Sequence, residues 1–336
     1  MKKWLTVMLV IVVGVLLVAC GDDKVSTAKT TDGKNVIKYQ LMKGMVYPAE
    51  LAVDLGYLEG IELESVSDFK GGTESVQYVG TGEVDLGMAF SAAVVKAYSK
   101  NVDLKSVIGY YGSDDLTNIS AFVLEDSSIK NPKDLINKKV GVNILGAHME
   151  LAIKGYLKQG GLSDKEIESV QLVTVPLSSA EQTLRSNQVD AVLLMGQSKD
   201  LAVERGGIRE LFSDIDVVGK NFTAGNYFFR SDYVKENPEV IKQFVEGVAK
   251  AIEWSRETPR EEVVERMEKI IKERDPNEST ESVKYWKSYG VGTEGGVIQE
   301  EEMQMWIDWL VENGELEKDA VTASELYTNQ YNPYEK

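Results

Sequence analysis

The chain has 336 residues, 43% of them hydrophobic and 27% charged, and 37 Lys and Arg against 54 Asp and Glu leave a net charge of −17. That length and composition suit a globular protein of about two domains whose core needs no staples, and the acidity excludes the basic surface by which a protein holds nucleic acid. A single cysteine, Cys20, and a single histidine, His148, exclude an internal disulfide, a multi-histidine metal cluster and a histidine-rich acid–base site.

In chain order the first feature is a leader. Met1-Lys2-Lys3 precedes an apolar run from Trp4 to Val18, and Leu17-Val18-Ala19-Cys20-Gly21 ends it. A positive start, a short apolar stretch and small residues at a cut site make a secretory signal. A bilayer span needs about 20 apolar residues, and this run is shorter. On residues alone a plain signal peptide or an N-terminal membrane helix are the alternatives. With a cysteine at the cut, the segment resembles the bacterial lipoprotein signal. That resemblance implies removal of residues 1–19, a diacylglycerol on the Cys20 sulfur, and attachment to the membrane through that lipid anchor only. Residues 20–35 read as a polar tether.

Strand and helix patterns then alternate. Residues 36–41 read as a strand, 49–55 as a helix stopped at Gly56, and 61–66 as a strand. A helix capped by Thr73 runs through residue 79, followed by a strand at 84–89, a helix at 92–99 and a strand at 104–111. After Asn131-Pro132 the rhythm restarts. Residues 139–143, 170–175 and 191–195 read as strands, with helices at 149–158, from Ser178 or Ser179 through 186, and at 198–205. The phrase Thr81-Gly82-Glu83-Val84-Asp85 in the first unit is matched by Ser186-Asn187-Gln188-Val189-Asp190 in the second. Two lobes of one local architecture are expected, each α/β with a mainly parallel sheet. From Tyr233 onward the pattern is helical: residues 237–254, 258–274, 281–289 and 299–313. Val240, Ile241, Phe244, Val245, Val248 and Ile252 share one face at 3.6 spacing, and Trp306, Trp309 and Leu310 are core candidates.

Open parallel sheets bind ligands beyond the carboxyl ends of their strands. Those positions are residues 43–47, 71–75 and 90–92 in the first unit, and 144–148, 176–180 and 196–198 in the second. Glycines, hydroxyls and amides dominate them. Tyr47 is a pocket wall or a turn residue. Thr73, Ser75 and Ser91 offer hydroxyls at helix starts, for an oxyanion or for capping. Glu74 either complements a helix end or, facing a cleft, repels an anion and prefers an amine or ring N–H. Gln197 and Asn226 either read a polar ring or headgroup or make turns. No phosphate loop, zinc motif, nucleophile elbow or nucleophile–base pair is present, so no catalytic residue, metal or cofactor is expected.

Tyr47-Pro48-Ala49-Glu50-Leu51-Ala52 with Gly56-Tyr57-Leu58, then residues 80–87, then Asp134-Leu135 with residues 138–142, resemble the nitrate/sulfonate/taurine group of ABC-transporter solute-binding proteins, which includes relatives that bind thiamine-pyrimidine precursors. The likeness extends over residues 36–254. It implies a type II periplasmic-binding fold with two lobes closing on a small ligand. The crossings would lie near residues 120–124 and 225–230. Residues 36–120 would form lobe 1, 124–224 lobe 2, and 230–336 a helical return to lobe 1. The helix start at Gly146 and His148 resembles the family's ligand-anion position, although His148 also suits a cap or a solvated site. The implied function is capture of an alkanesulfonate- or taurine-like solute by an extracytoplasmic, monomeric protein that serves an ABC permease and its ATPase. A pyrimidine-type precursor, a sensor or surface role, and an enzyme on this fold are the alternatives. Enzymes among the relatives use a cysteine-rich, histidine-containing centre, which this chain lacks.

Overall fold

The computed structural model describes residues 28–336. Cys20, the leader and the tether up to residue 27 lie outside the described residues. The rest of the tether doubles back on the first strand, with the Val36 N–H donating to Ala28 O at 2.8 Å and the Thr30 N–H to Lys34 O at 2.9 Å.

The first unit contains β1 (Asn35–Leu41), α1 (Pro48–Asp54), β2 (Ile61–Asp68), α2 (Gly72–Thr81), β3 (Gly87–Phe90), α3 (Ser91–Tyr98) and β4 (Leu104–Ser113). The second contains β5 (Ser120–Leu124), β6 (Lys139–Val142), α4 (His148–Gln159), α5 (Asp164–Glu168), β7 (Gln171–Thr174), α6 (Leu177–Arg185), β8 (Ala191–Leu194), α7 (Gly196–Arg205) and β9 (Ile208–Ser213). The chain then continues through α8 (Asp214–Val218), β10 (Phe222–Arg230), α9 (Ser231–Glu236), α10 (Pro238–Glu257), α11 (Arg260–Arg274), α12 (Glu300–Glu312) and α13 (Ala323–Leu326). Among the described residues no helix is long and apolar enough to cross a membrane.

The second sheet has the order β7-β6-β8-β5-β9, with β5 antiparallel to both neighbours. In the first unit β10 lies antiparallel between β3 and β4, and β1 pairs in parallel with β2. A parallel bridge from Tyr39 to Leu86 joins these pieces, so the strands read β2-β1-β3-β10-β4. Both units therefore follow one plan, two parallel crossover connections plus one antiparallel strand next to the edge.

β5 and β10 are the extended segments in which the lobe crossings were expected. Each is an interior strand of one sheet, because its apolar residues are buried on both faces. Along β10, Tyr227 and Phe229 pack with α10, Phe222 and Ala224 pack with Trp306 of α12, and Phe228 packs under α2 and α3. The passages between sheets are residues 114–119, and α8 with the turn after it.

Three local expectations are corrected. Gly71, at φ +155°, is the N-cap of α2, and Thr73 is exposed inside the first turn. Pro176 precedes α6, so Ser178 and Ser179 lie within that helix rather than capping it. Residues 281–289 form only one 3-10 turn, Val283–Tyr285, followed by an extended strap to Gly292. The carbonyls that a helix would use there are taken by Arg260, whose Nε donates to Trp286 O at 2.8 Å and whose Nη2 donates to Lys284 O. Gly290, at φ +66°, lets the strap meet β4, where a Cβ would sit 2.2 Å from Gly112 O. α10 behaves as its periodicity predicts: its six periodic apolar residues are all buried, each contributing about 1.5–3 kcal/mol by transfer from water.

Candidate functional site

A cavity of about 660 Å³ opens between the two units, at the carboxyl ends of strands from both sheets. Its first wall is the loop after β1, which supplies Met42, Met45 and Tyr47, together with Tyr111 near the end of β4. The Tyr47 N–H donates to Glu50 Oε2 at 3.1 Å, its hydroxyl donates to Met42 Sδ at 3.3 Å, and its ring meets Tyr110 edge-on at 5.3 Å. Tyr111 has room because residue 225 is glycine: a Cβ there would lie 2.1 Å from the Tyr111 ring. Burial raises the pKa of Tyr47, Tyr111 and Tyr289, so these walls are neutral phenols.

The second wall comes from the other unit. Asn143 follows β6, Leu177 and Ser178 open α6, and Met195 to Ser198 lead into α7. Neither α6 nor α7 has an acidic residue in its first turn or a side-chain cap. Their first backbone N–H groups and positive dipole ends are therefore left for a ligand. The third wall is the strap, through Ser282, Tyr285, Trp286 and Tyr289.

The charges around the cavity are paired. Glu181 accepts from Arg205 and from Arg185 Nε, the latter at 2.8 Å, and Lys287 Nζ lies 2.7 Å from Asp200 Oδ1. That Lys287–Asp200 pair joins the strap to α7 beside the cavity. A second link is Ser282 Oγ, which donates to Gln197 Oε1 at 3.0 Å. Among the described residues, no group of three or more His, Cys, Asp or Glu gathers as a metal ion would require. The arrangement suits a small organic molecule with an apolar or flat body and a polar or anionic end.

Of the candidate side chains singled out from sequence, Tyr47 and Gln197 line this cavity and the others do not, although Met45, Leu177, Ser178, Gly196 and Ser198 of the expected strand-end loops line it too. Thr73 is exposed, and Glu74 sits 3.9 Å from Lys70. Ser75 is buried and accepts the Met88 N–H at 3.1 Å, fastening α2 to β3. Ser91 donates to Ala224 O at 3.0 Å and accepts from Asn226 Nδ2 at 2.9 Å, so this buried pair ties α3 to β10. Gly146, at φ +73°, donates its N–H to Glu150 Oε2 at 2.6 Å. His148 is buried where the two units meet, with Nε2 3.0 Å from Asp214 Oδ2 and its ring stacked on Phe90 at 5.3 Å.

Sequence reasoning missed Met42, Tyr111, Trp286 and Tyr289. Tyr111 ends a recognised strand and could have been found there. Trp286 and Tyr289 were hidden by the helical reading of their segment.

The family described as NMT1/THI5-like matches over residues 46–262, more than half of the chain. A protein of Brucella abortus (strain 2308), whose given name is that of a binding protein, is similar at 24% identity over 218 residues, which is 64% of this chain and 64% of that one. The match thus spans less than two thirds of that relative. Among solved structures, the periplasmic aliphatic sulphonate binding protein SsuA of Escherichia coli is similar with a TM-score of 0.66 and 19% identity, covering 86% of this chain and 90% of that one. The periplasmic nitrate-binding protein NrtA of Synechocystis PCC 6803 follows with a TM-score of 0.64 and 11% identity, covering 91% and 88%. At these identities the likeness establishes the fold, which is that of periplasmic binding proteins.

Proposed function

This chain belongs to the NMT1/THI5-like family, and on that premise we propose that it is an extracytoplasmic solute-binding protein of an ABC importer, monomeric and held to the membrane by a lipid on Cys20. It takes a small organic solute between its lobes and presents the closed form to the permease and its ATPase, with no covalent chemistry. The observation that carries this reading is the cavity between the units, walled from both sides, with the two units linked beside it by Lys287–Asp200 and Ser282–Gln197. A ligand touching both walls binds the closed state better and shifts the equilibrium toward it. In this reading residues 36–113 and 222–336 move as one lobe and 120–213 as the other, since β5 belongs wholly to the second sheet and β10 to the first.

The solute is an alkanesulfonate- or taurine-like molecule. Its anionic head would sit at the first turns of α6 and α7, and its organic part against Met42, Met45 and Tyr47. A second reading, a flat pyrimidine-type ring, is favoured by the rings of Tyr47, Tyr111, Trp286 and Tyr289. A thermal-shift series with ethanesulfonate, taurine, nitrate and aminopyrimidines tests both. A ligand at a hundred times its dissociation constant stabilises the chain by about 2.7 kcal/mol. A shift with sulfonates alone supports the first reading, and one with pyrimidines alone the second. Silence from all of them sinks both. Anchoring is tested separately: Cys20→Ala is expected to move the protein from the membrane fraction to the soluble one.

A further inference from the structure

The loop of residues 42–47 has no regular secondary structure, yet it supplies Met42, Met45 and Tyr47 to the cavity. Its main chain is held from far along the sequence. Arg274, the last residue of α11, donates from Nη2 to Met45 O at 3.2 Å. The same guanidinium donates from Nη1 to Glu50 Oε1 at 2.5 Å, from Nε to Glu278 Oε2 at 3.0 Å, and from Nη2 to Glu278 Oε1. Each carboxylate then reaches the loop: Glu278 Oε1 accepts the Gly44 N–H at 2.5 Å, and Glu50 Oε2 accepts the Tyr47 N–H at 3.1 Å. Three successive attachment points of an irregular loop therefore end on one Glu–Arg–Glu cluster. The two carboxylate side chains are 8% and 6% exposed and the arginine 18%.

A buried ion cluster of this kind is weak evidence of stabilisation, because desolvating the charges offsets much of their attraction. What the planar guanidinium supplies is direction, through forked bonds that an ammonium cannot reproduce. Arg274 itself does not line the cavity. We propose that Arg274, acting through Glu50 and Glu278, is a positioning residue that sets the loop 42–47 wall of the ligand cavity. The proposal rests on the reading of that cavity as the solute site.

The test uses the full chain in detergent, with Arg274→Lys and Glu278→Gln. Three quantities are read: amide hydrogen exchange, calorimetric affinity for ethanesulfonate, and exchange in α10 at Phe244 and Val248 as the control. Arg274→Lys is expected to speed exchange at Gly44 and Tyr47 by about tenfold or more while the α10 amides keep their protection, and to weaken ethanesulfonate binding by about fivefold or more. Glu278→Gln keeps an acceptor oxygen and is expected to show the same pattern at smaller size, which serves if the lysine variant fails to fold. Unchanged exchange at Gly44 and Tyr47 overturns the proposal. So does an equal rise in α10, and so does a loosened loop with unchanged affinity. If the wild-type chain does not take ethanesulfonate but the loop-specific exchange contrast is present, the positioning role stands and the sulfonate reading falls.

Discussion

Glu302 lies almost enclosed at the start of α12, accepts the Thr223 N–H at 3.0 Å, and has its pKa pushed up to about 7 by burial. An unfolded chain returns this carboxyl to its ordinary range, so between the two values the folded state binds more protons than the unfolded one. Its contribution is therefore fully present below the unfolded pKa, falls as pH rises, and is lost above about pH 7. Glu302→Gln is expected to remove this slope, raising stability at pH 8 relative to the wild type by up to about 3 kcal/mol and changing it little at pH 4. Urea midpoints at both pH values check it, and parallel pH profiles for the two proteins would refute it. Glu74 supplies the opposite case. It sits in the first turn of α2 beside Lys70, outside the cavity. Glu74→Gln is expected to leave solute affinity unchanged within about twofold, as for other surface substitutions. A larger loss by calorimetry would place a carboxylate contact where the geometry has none.

At the scale of the element, β10 shows how a strand can set the shape of a site that it does not touch. Gly225 faces the Tyr111 ring, and a methyl group there would also lie 2.6 Å from Ala89 O. Gly225→Ala is expected to cost about 1–3 kcal/mol through overpacking and to displace Tyr111, so that affinity falls together with the melting temperature. A destabilised variant with intact affinity would show that the ring does not matter to the ligand. Most elements of this kind were legible in the sequence. The alternation of strands and helices, the duplicated phrase and the apolar face of α10 all report burial, and burial follows residue type at a fixed period. The site was less legible. The strand-end loops could be read from the pattern, and two of the side chains named on them, Tyr47 and Gln197, line the candidate cavity. Ser75, Ser91 and Asn226 had the right chemistry but spend it on main chain or on each other. The strap was misread because its conformation is set by Arg260 and by contact with Gly112, and no local pattern records either one.

Across the whole molecule, the two units touch through His148 on Phe90, Ser282 with Gln197, Lys287 with Asp200, and Lys158 with Glu312 at 2.6 Å. Lys287 and Asp200 are partly exposed, so their pair is worth about 0.5 kcal/mol after screening. Lys287→Ala is accordingly expected to weaken solute binding by only about twofold, and to make the ligand-free protein more extended in small-angle scattering. An unchanged scattering profile would show that this pair does not bias closure. The placement of β10 has a further consequence, for the order in which the chain acquires structure. Between β3 and β4 there is a slot that only residues 222–230 fill. The sheet of the second unit, by contrast, is built entirely from residues 120–213. The amino-terminal half is thus denied its central pairing until everything up to Arg230 has been synthesised, and closing so long a loop is slow. A chain with this wiring stays threadable while it emerges, and its middle segment, residues 120–213, is the one able to fold first.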